Sequence, residues 1–435
     1  MAFQQGLSGL NVSSRALDVI SNNIANASTV GYKASNAIFA DVYSSALTGV
    51  SSNIQIGVGA KITAVYQSFS DGLPTTTNNP LDMAIIGNGF YVIQRNDGST
   101  AYSRNGQFDI DNNGYVITPL GEKLMGIRAD INGFIPQSGG IIEPLFVSQG
   151  DIDPRASTLF SIKSGNLDAR INPNYVDVEQ TVPLQVPFDP ANVNSYHYMT
   201  TIPVYDSLGM KHELEAYCVK TGPIPPATGN GTWEVYAMVD GQQSTLADGV
   251  TPTGPGTITF DAYGRLLSPI GTPTFSGVYF PVTSGAASPM EIAIDLGELN
   301  QYGSPFSVTD TAQDGYTSGQ ISSLVVAQDG TIQGRYTNGQ AKNLGQVVLA
   351  TFRSNQGLTS VGDNLWIEAP DSGPPIIGRP TSGLNGLISG GQVEESNVDL
   401  TQELVQMIIQ QRNYQANAQT IKTQDQILST LVNLR

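Results

Sequence analysis

The side chains best suited to chemistry are few. Only two histidines, His197 and His212, occur in 435 residues. His212-Glu213 opens an HExxH pattern, in which two imidazoles one helical turn apart hold zinc and the glutamate acts as base. The place of the second imidazole is taken by Ala216. Ser207 follows Asp206, but no GxSxG elbow surrounds a serine anywhere. Asp109, Asp111, Asn113 and Gly114 match the first half of a calcium loop, yet its twelfth position is Leu120 and not a bidentate glutamate. The stretch therefore reads as an Asx-rich turn. Gly87-Asn88-Gly89 lacks the spacing of a dinucleotide loop, and no helix pattern follows it. The single cysteine, Cys218, rules out an intrachain disulfide and reads as a strand residue in EAYCVK. Carboxylates are plentiful but none is marked out as a glycosidase pair. No residue is assigned a catalytic, cofactor-binding or metal-binding role.

Composition narrows the class. Asp and Glu number 37 against 20 Lys and Arg, a net charge of -17, which repels nucleic acid and anionic membrane surfaces. Charged residues are 13% of the chain, with 47 Gly and 25 Pro, a profile of β-rich, turn-rich extracellular proteins. The length suggests about three domains. The start, MAFQQGLSGLNVSS, lacks the basic region, apolar run and cleavage site of a signal peptide. No stretch reaches the roughly 18 apolar residues of a membrane span, so no direct membrane insertion is expected.

Two helical stretches frame everything else. Asp399 to Arg435 contains no Gly or Pro, with Asp399 placed as N-cap and Gln402 as its capping-box partner. Apolar residues recur once per heptad at Leu400, Met407, Tyr414, Ile421 and Leu428, with a second row at Leu404, Ala418 and Val432. Ile408 and Leu431 widen this seam, and Gln411 and Asp425 interrupt it. At 1.5 Å per residue the helix would span roughly 54 Å, and so long a stripe needs partners to cover it. Phe3 to Ala27 is the second helix, with Phe3, Leu10, Leu17 and Ile24 in one heptad position, Ile20 and Ala27 in the other, and Leu7 broadening the face. One helix enters the body and the other leaves it, so if they pair they pair antiparallel. The expected fold is a multidomain α+β chain: an antiparallel pair of long terminal helices, forming a coiled-coil stalk, that carries mainly β middle domains.

Four parts follow from the patterns between the helices. Residues 1–31 and 393–435 form the helical assembly domain, and 32–74 with 371–392 a connector of no clear period. Residues 75–145 with 315–370 read as an inner β domain, marked by the turn signals Asp97-Gly98 and Asp329-Gly330. Residues 146–314 read as an outer β-sandwich or barrel, with turns at Leu208-Gly209 and Tyr263-Gly264 and a long loop at Thr221–Gly231.

ESNVDLTQELVQMIIQQRNYQANAQTIKTQDQIL resembles the C-terminal signature of the bacterial flagellar rod and hook protein family, and ISNNIANASTVGYKAS its N-terminal signature. The segments NNPLDMAIIGNGFYVIQRNDG and SSLVVAQDGTIQGRYTNGQ are similar to its shared inner region. VYDSLG followed by His212 resembles the outer domain of the hook branch, and length favours that branch over the shorter rod members. The resemblance implies a non-enzymatic subunit of a flexible curved tube that joins rod to filament, transmits torque and passes export cargo through its lumen. It implies export without a cleaved signal and an extracellular place in the flagellum. The implied partners are further copies of itself, a hook cap, the distal rod protein, a hook–filament junction protein and the flagellar export apparatus. Amides such as Gln415, Gln419 and Gln426 would then face the lumen, where neither charge nor apolar surface should hold passing cargo. The competing expectation is a secreted glycan-binding or hydrolytic β-protein with helical oligomerisation termini.

Overall fold

The computed structural model describes residues 2–42, 57, 59–137, 140–148, 150–170, 187–221, 231–246, 251–269, 275–282 and 285–433. Helix α1 spans Ala2–Ala25 and helix α2 spans Leu400–Asn433. At 1.5 Å per residue α2 is about 51 Å long. Asp399 caps it: one carboxylate oxygen accepts the backbone N–H groups of Thr401 at 2.8 Å and Gln402 at 3.1 Å. The side chain of Gln402 does not reach back, so the cap is one-sided. α1 ends where Asn26 takes over the last turn, bonding back to Asn22, and Gly31 then turns the chain with φ of 72°.

The chain divides into two compact units: residues 1–149, 322–335 and 341–435, and residues 150–321 with 336–340. In the first unit, β1 (Ser35–Val42) and β2 (Gly59–Gln67) form an antiparallel ladder from Ser35↔Gln67 to Val42↔Gly59. The stretch read from sequence as a connector of no clear period holds this strand pair. Its alternation is weak in sequence because no residue of β1 or β2 is buried.

The body of this unit is a sheet drawn from both halves of the chain. Strand Phe90–Gln94 forms a hairpin with Thr100–Ser103 and also pairs with Lys123–Arg128. Ala341–Val347 joins Lys123–Arg128 through Gly345↔Arg128, and Leu349 pairs with Tyr91. Strand Phe90–Gln94 is apolar along its length because both faces are covered. Tyr91 and Ile93 enter one core with Met83, Leu124 and Val347, while Phe90 and Val92 enter another with Tyr102 and Trp366.

The second unit is a β-sandwich. One sheet orders Tyr198–Tyr205, Lys211–Lys220, Gly231–Val239, Gly256–Phe260 and Leu266–Ser268. The other contains Phe275–Phe280, Met290–Asp295 and Leu159–Asn166, with Ser307–Gln313 beside the last. Alternate residues of both sheets (Val204, Leu214, Trp233, Val235 and Phe260 from one, Phe160, Ile292 and Ile294 from the other) share one core. The turns at Leu208-Gly209 and Tyr263-Gly264 form as expected, with glycine φ of 79° and 76°. Residues 222–230 of the expected long loop lie outside the described residues.

Candidate assembly interface

α1 and α2 lie side by side and antiparallel. Gly6 near the start of α1 meets Ile421 near the end of α2, and Asn23 near the end of α1 meets Glu403 near the start of α2. The covered stripe of α1 is Gly6, Ser13, Ala16, Ile20 and Asn23, with Gly9 half-buried between them. That is a three–four spacing built mainly from small residues. A Cβ on Gly6 would stand 3.1 Å from Ile421 Cγ1, and one on Gly9 would stand 2.7 Å from Asn417 Oδ1. Each glycine costs a helix about 1 kcal/mol against alanine, and here it permits the close approach.

The matching stripe of α2 is the least exposed row of that helix: Glu403, Met407, Gln410, Asn417, Ile421 and Gln424. It is largely polar. Of the expected apolar rows, Ile20 is buried, and Leu10, Leu17, Ile24, Met407, Ala418 and Ile421 are half-buried. Phe3, Leu7 and Tyr414 are exposed, and Leu400, Leu404 and Leu428 are exposed by 46%, 47% and 54%. The side chains of Leu431 and Val432 lie outside the described residues. Val405, Ile408, Ile409 and Ile427 extend this exposed apolar surface. Gln415, Gln419 and Gln426 are exposed as well. So within one chain the helices meet mainly through small and amide side chains together with Ile20 and Ile421, and about half of the apolar rows stay exposed. The row Gly6, Gly9, Ser13, Ala16 was present in the sequence as a small-residue stripe; reading apolar residues alone passes over it.

At the root of the pair, one asparagine does much of the joining. The Nδ2 of Asn23 donates to Glu403 Oε1 at 2.9 Å and to the Ser35 carbonyl at 2.8 Å, and its Oδ1 accepts from the Ser35 N–H at 2.9 Å and the Tyr32 hydroxyl at 3.1 Å. Asn397, just before α2, accepts the Ala34 N–H at 2.7 Å and donates to the Ser68 carbonyl at 2.8 Å. Burial pushes the Tyr32 phenol above its ordinary value, so it remains a donor at any physiological pH.

The residues with chemical potential are used structurally. Asp111 accepts the Asn113 and Tyr115 N–H groups at 3.0 and 2.7 Å and the Asn113 side-chain amide at 3.1 Å, which closes an Asx turn. Among the described residues no group of three or more His, Cys, Asp or Glu side chains is placed to hold a metal ion. Gly87 and Gly89 take positive φ in a turn between strands. Cys218 is a buried strand thiol, pushed up to about 12 by burial. His197 accepts the Lys220 N–H at 3.1 Å. His212 is held between two carboxylates: its Nδ1 lies 2.6 Å from Asp240 and its Nε2 3.2 Å from Asp206. Burial alone would lower it, but the two carboxylates outweigh that and hold it above its ordinary value.

Long helices at both ends of the chain, paired with each other and leaving Leu400, Leu404, Ile408 and Leu428 exposed, present a surface suited to association with further chains. Comparison with known proteins names the class. Residues 3–33 match the flagella basal body rod protein family and residues 389–434 the flagellar basal body rod FlgEFG protein C-terminal family. Residues 84–164 match the flagellar hook protein FlgE/F/G D1 domain, and residues 166–316 the flagellar basal body protein FlaE D2 domain. The flagellar hook protein FlgE of Escherichia coli K12 is 38% identical over 439 residues, covering 100% of both chains. That of Salmonella typhimurium is likewise 38% identical over 435 residues and 100% of both, and that of Borreliella burgdorferi is 30% identical over 99% of this chain and 98% of its own. The crystal structure of Helicobacter pylori flagellar hook protein FlgE2 covers 75% of this chain and 100% of its own with TM-score 0.52 and 16% identity, a likeness of fold. The chain belongs to the flagellar hook protein FlgE family. This is a structural family and not an enzyme family, and none of these matches supports a glycan-binding or hydrolytic role. Among the described residues no helix is long and apolar enough to cross a membrane.

Proposed function

We propose that this chain is the repeating subunit of the hook, polymerising into a curved tube that joins rod to filament, transmits torque and conducts export cargo. The observation that carries the reading is the helix pair: its inner seam is small and polar, while Leu400, Leu404, Val405, Ile408, Ile427 and Leu428 stay uncovered along a helix of 34 residues. At about 25 cal/mol per Å² such surface favours burial against neighbouring copies. In the polymer the apolar rows (Phe3, Leu10, Leu17 and Ile24 on α1; Leu400, Leu404, Tyr414, Ala418, Leu428 and Val432 on α2) form the assembly seam, while Ile20, Met407 and Ile421, read from sequence as part of that seam, close the pair within one chain, and the pair acts as a coiled-coil stalk. Four working parts follow: the helical ends (1–31, 393–435), a connector (32–74, 371–392), an inner β part (75–145, 315–370) and an outer β part (146–314). Gln415, Gln419 and Gln426 face the lumen. The partners are other copies of the chain, a hook cap, the distal rod protein, the hook–filament junction protein and the export apparatus, through which the subunit leaves the cell without a cleaved signal.

The test is assembly of the purified chain on raising salt, followed by electron microscopy and helical reconstruction. Tubes with α2 innermost are the expected result. A chain that stays monomeric, or tubes with the helices on the outer surface, would overturn the reading.

A further inference from the structure

At the foot of the helix pair lies a group of three charges taken out of water, with a fourth, exposed carboxylate at its edge. The side chains of Lys33, Arg104 and Glu394 are exposed by 0%, 2% and 2%. Lys33 Nζ donates to Glu394 Oε1 at 2.6 Å and to the Ser70 carbonyl at 2.7 Å. The same Oε1 accepts the Gly72 N–H at 2.8 Å, and Oε2 accepts from Arg104 at 3.2 Å. Arg104 donates onward to the Gly87 carbonyl at 2.7 Å and reaches the Asp71 carboxylate at 3.4 Å, while its guanidinium lies 5.4 Å from the centre of the Phe90 ring. Asp71 in turn accepts the Gly87 N–H at 2.9 Å. Two buried cations thus share one buried carboxylate, and the second carboxylate, Asp71, is exposed by 43%.

The four residues sit on four separate passages of the chain. Lys33 follows α1, Asp71 follows β2, Arg104 follows a central strand of the inner sheet, and Glu394 precedes α2. The backbone is tied at the same place, with the Gly31 N–H bonded to the Glu394 carbonyl at 2.8 Å. Gly31 admits no side chain here, since a Cβ would stand 2.6 Å from the Asn105 nitrogen. Burying such a group gains little stability over apolar packing of equal volume. What it does impose is register: each charge is satisfied in one arrangement only, and sliding one passage strands a bare charge in the interior.

We infer that the Lys33–Glu394–Arg104–Asp71 cluster is the knot through which force passes between the helix pair and the inner β sheet, holding the four passages in one register. This rests on the hook reading only for its mechanical consequence; the knot itself is a property of the single chain. Glu394 and Arg104 are its positioning residues. Glu394→Gln removes the central anion at constant shape and leaves two buried cations facing an amide. Lys33→Met removes one cation, leaves Glu394 paired with Arg104, and serves where the first variant does not fold.

The experiment is hydrogen exchange on the full-length chain, read at the amides of Gly31 and Gly72, beside assembly of the same variants. Glu394→Gln should speed exchange at both by roughly 100-fold or more, and Lys33→Met by roughly ten-fold. Exchange in the strand Phe90–Gln94 should stay near the wild-type rate, whereas a general loss of stability would raise all three together. Unchanged exchange at Gly31 and Gly72, or an equal rise everywhere, overturns the knot. Tubes of Lys33→Met chains, twisted by a tethered bead, should be torsionally softer than wild type, and equal stiffness overturns the mechanical role. If wild-type chains form no tubes, the hook reading falls, and exchange decides the knot on its own.

Discussion

The helix pair and the β-sandwich solve opposite problems. In the sandwich, Trp233, Phe260, Phe160 and Ile292 are wholly buried between two sheets, so the unit carries its own core. The helix pair does not: Gly6 faces Ile421 and Gly9 faces Asn417, while Leu400, Leu404, Val405, Ile408 and Leu428 of α2 stay exposed. A single helix pair of this kind is marginal, because long helices draw their stability from packing an apolar face. The sandwich is finished as a monomer, while the helices are finished only when neighbours arrive. Stability and assembly are thus written into different residues and can be removed separately.

The strongest attempt to break that separation is Leu404→Asp. A charge on the outward apolar row should abolish tube formation while the melting of the sandwich stays unchanged, as judged by microscopy and calorimetry on one preparation. Normal tubes would mean that Leu404 faces no neighbour. The converse change is Phe260→Ala, which should cost the sandwich about 3–5 kcal/mol. Urea unfolding followed by Trp233 fluorescence, in a Trp366→Phe background, would measure it. Leu428→Ala, at a side chain exposed by 54%, should cost the unassembled chain under about 0.5 kcal/mol. Comparable losses from the two truncations would erase the contrast.

Local signals read well, and long-range pairings did not. Asp399 could be recognised as a cap because the rule needs only the next three residues, and Asp97-Gly98 as a hairpin because its strands are adjacent in sequence. Heptad spacing likewise found the rows containing Met407 and Ile421, both of which turn toward α1. It could not say which flank of that row is covered, and the structure chooses Glu403, Gln410, Asn417 and Gln424 over Leu404. A polar stripe wins because α1 offers it glycine, serine and asparagine, a complementarity visible only once both helices are placed. Lys33 and Glu394 are 361 residues apart, so no local pattern pairs them. His212 was missed for a related reason: Asp206 follows a neighbouring strand and Asp240 lies at the end of another. In sequence nothing marks them as its partners.

That histidine sharpens the comparison, since it gives the sandwich a pH dependence the helix pair should lack. His212 is enclosed by Asp206 and Asp240, with Val204 opposite on the neighbouring strand and the exposed Lys211–Glu213 pair at 3.8 Å on its own. Held above its ordinary 6.5, it stabilises the fold fully below that value and loses its contribution as pH rises through the higher folded value. Asp240 acts from the other side. Burial would raise it, but the Glu213 N–H and His212 hold it below the usual carboxylate range, so its contribution is lost on acidification. The sandwich should melt a few degrees lower at about pH 8 than at about pH 6. His212→Gln should flatten that slope and leave assembly intact. A slope that survives the substitution would move the effect to another group.

The smallest expected effect on the chain itself belongs to the amides of α2. Gln415, Gln419 and Gln426 are exposed, and each bonds water at little net gain, so replacing all three with Leu should change the stability of the chain by less than about 0.5 kcal/mol per site. Hook assembly should survive, because none of the three belongs to the stripe facing α1. What should change is passage. An amide wall offers a sliding unfolded chain neither a fixed charge nor an apolar surface, and three leucines per subunit, repeated along a tube, would supply the second. The measurement is the rate of filament growth on hooks of normal length, which should fall in the triple variant and recover with Gln→Asn at the same sites. Unimpaired growth, with the three side chains located on the channel wall by reconstruction, would separate lumen chemistry from cargo movement. It would also leave the amides a single role: keeping the faces of α2 that no neighbour covers soluble.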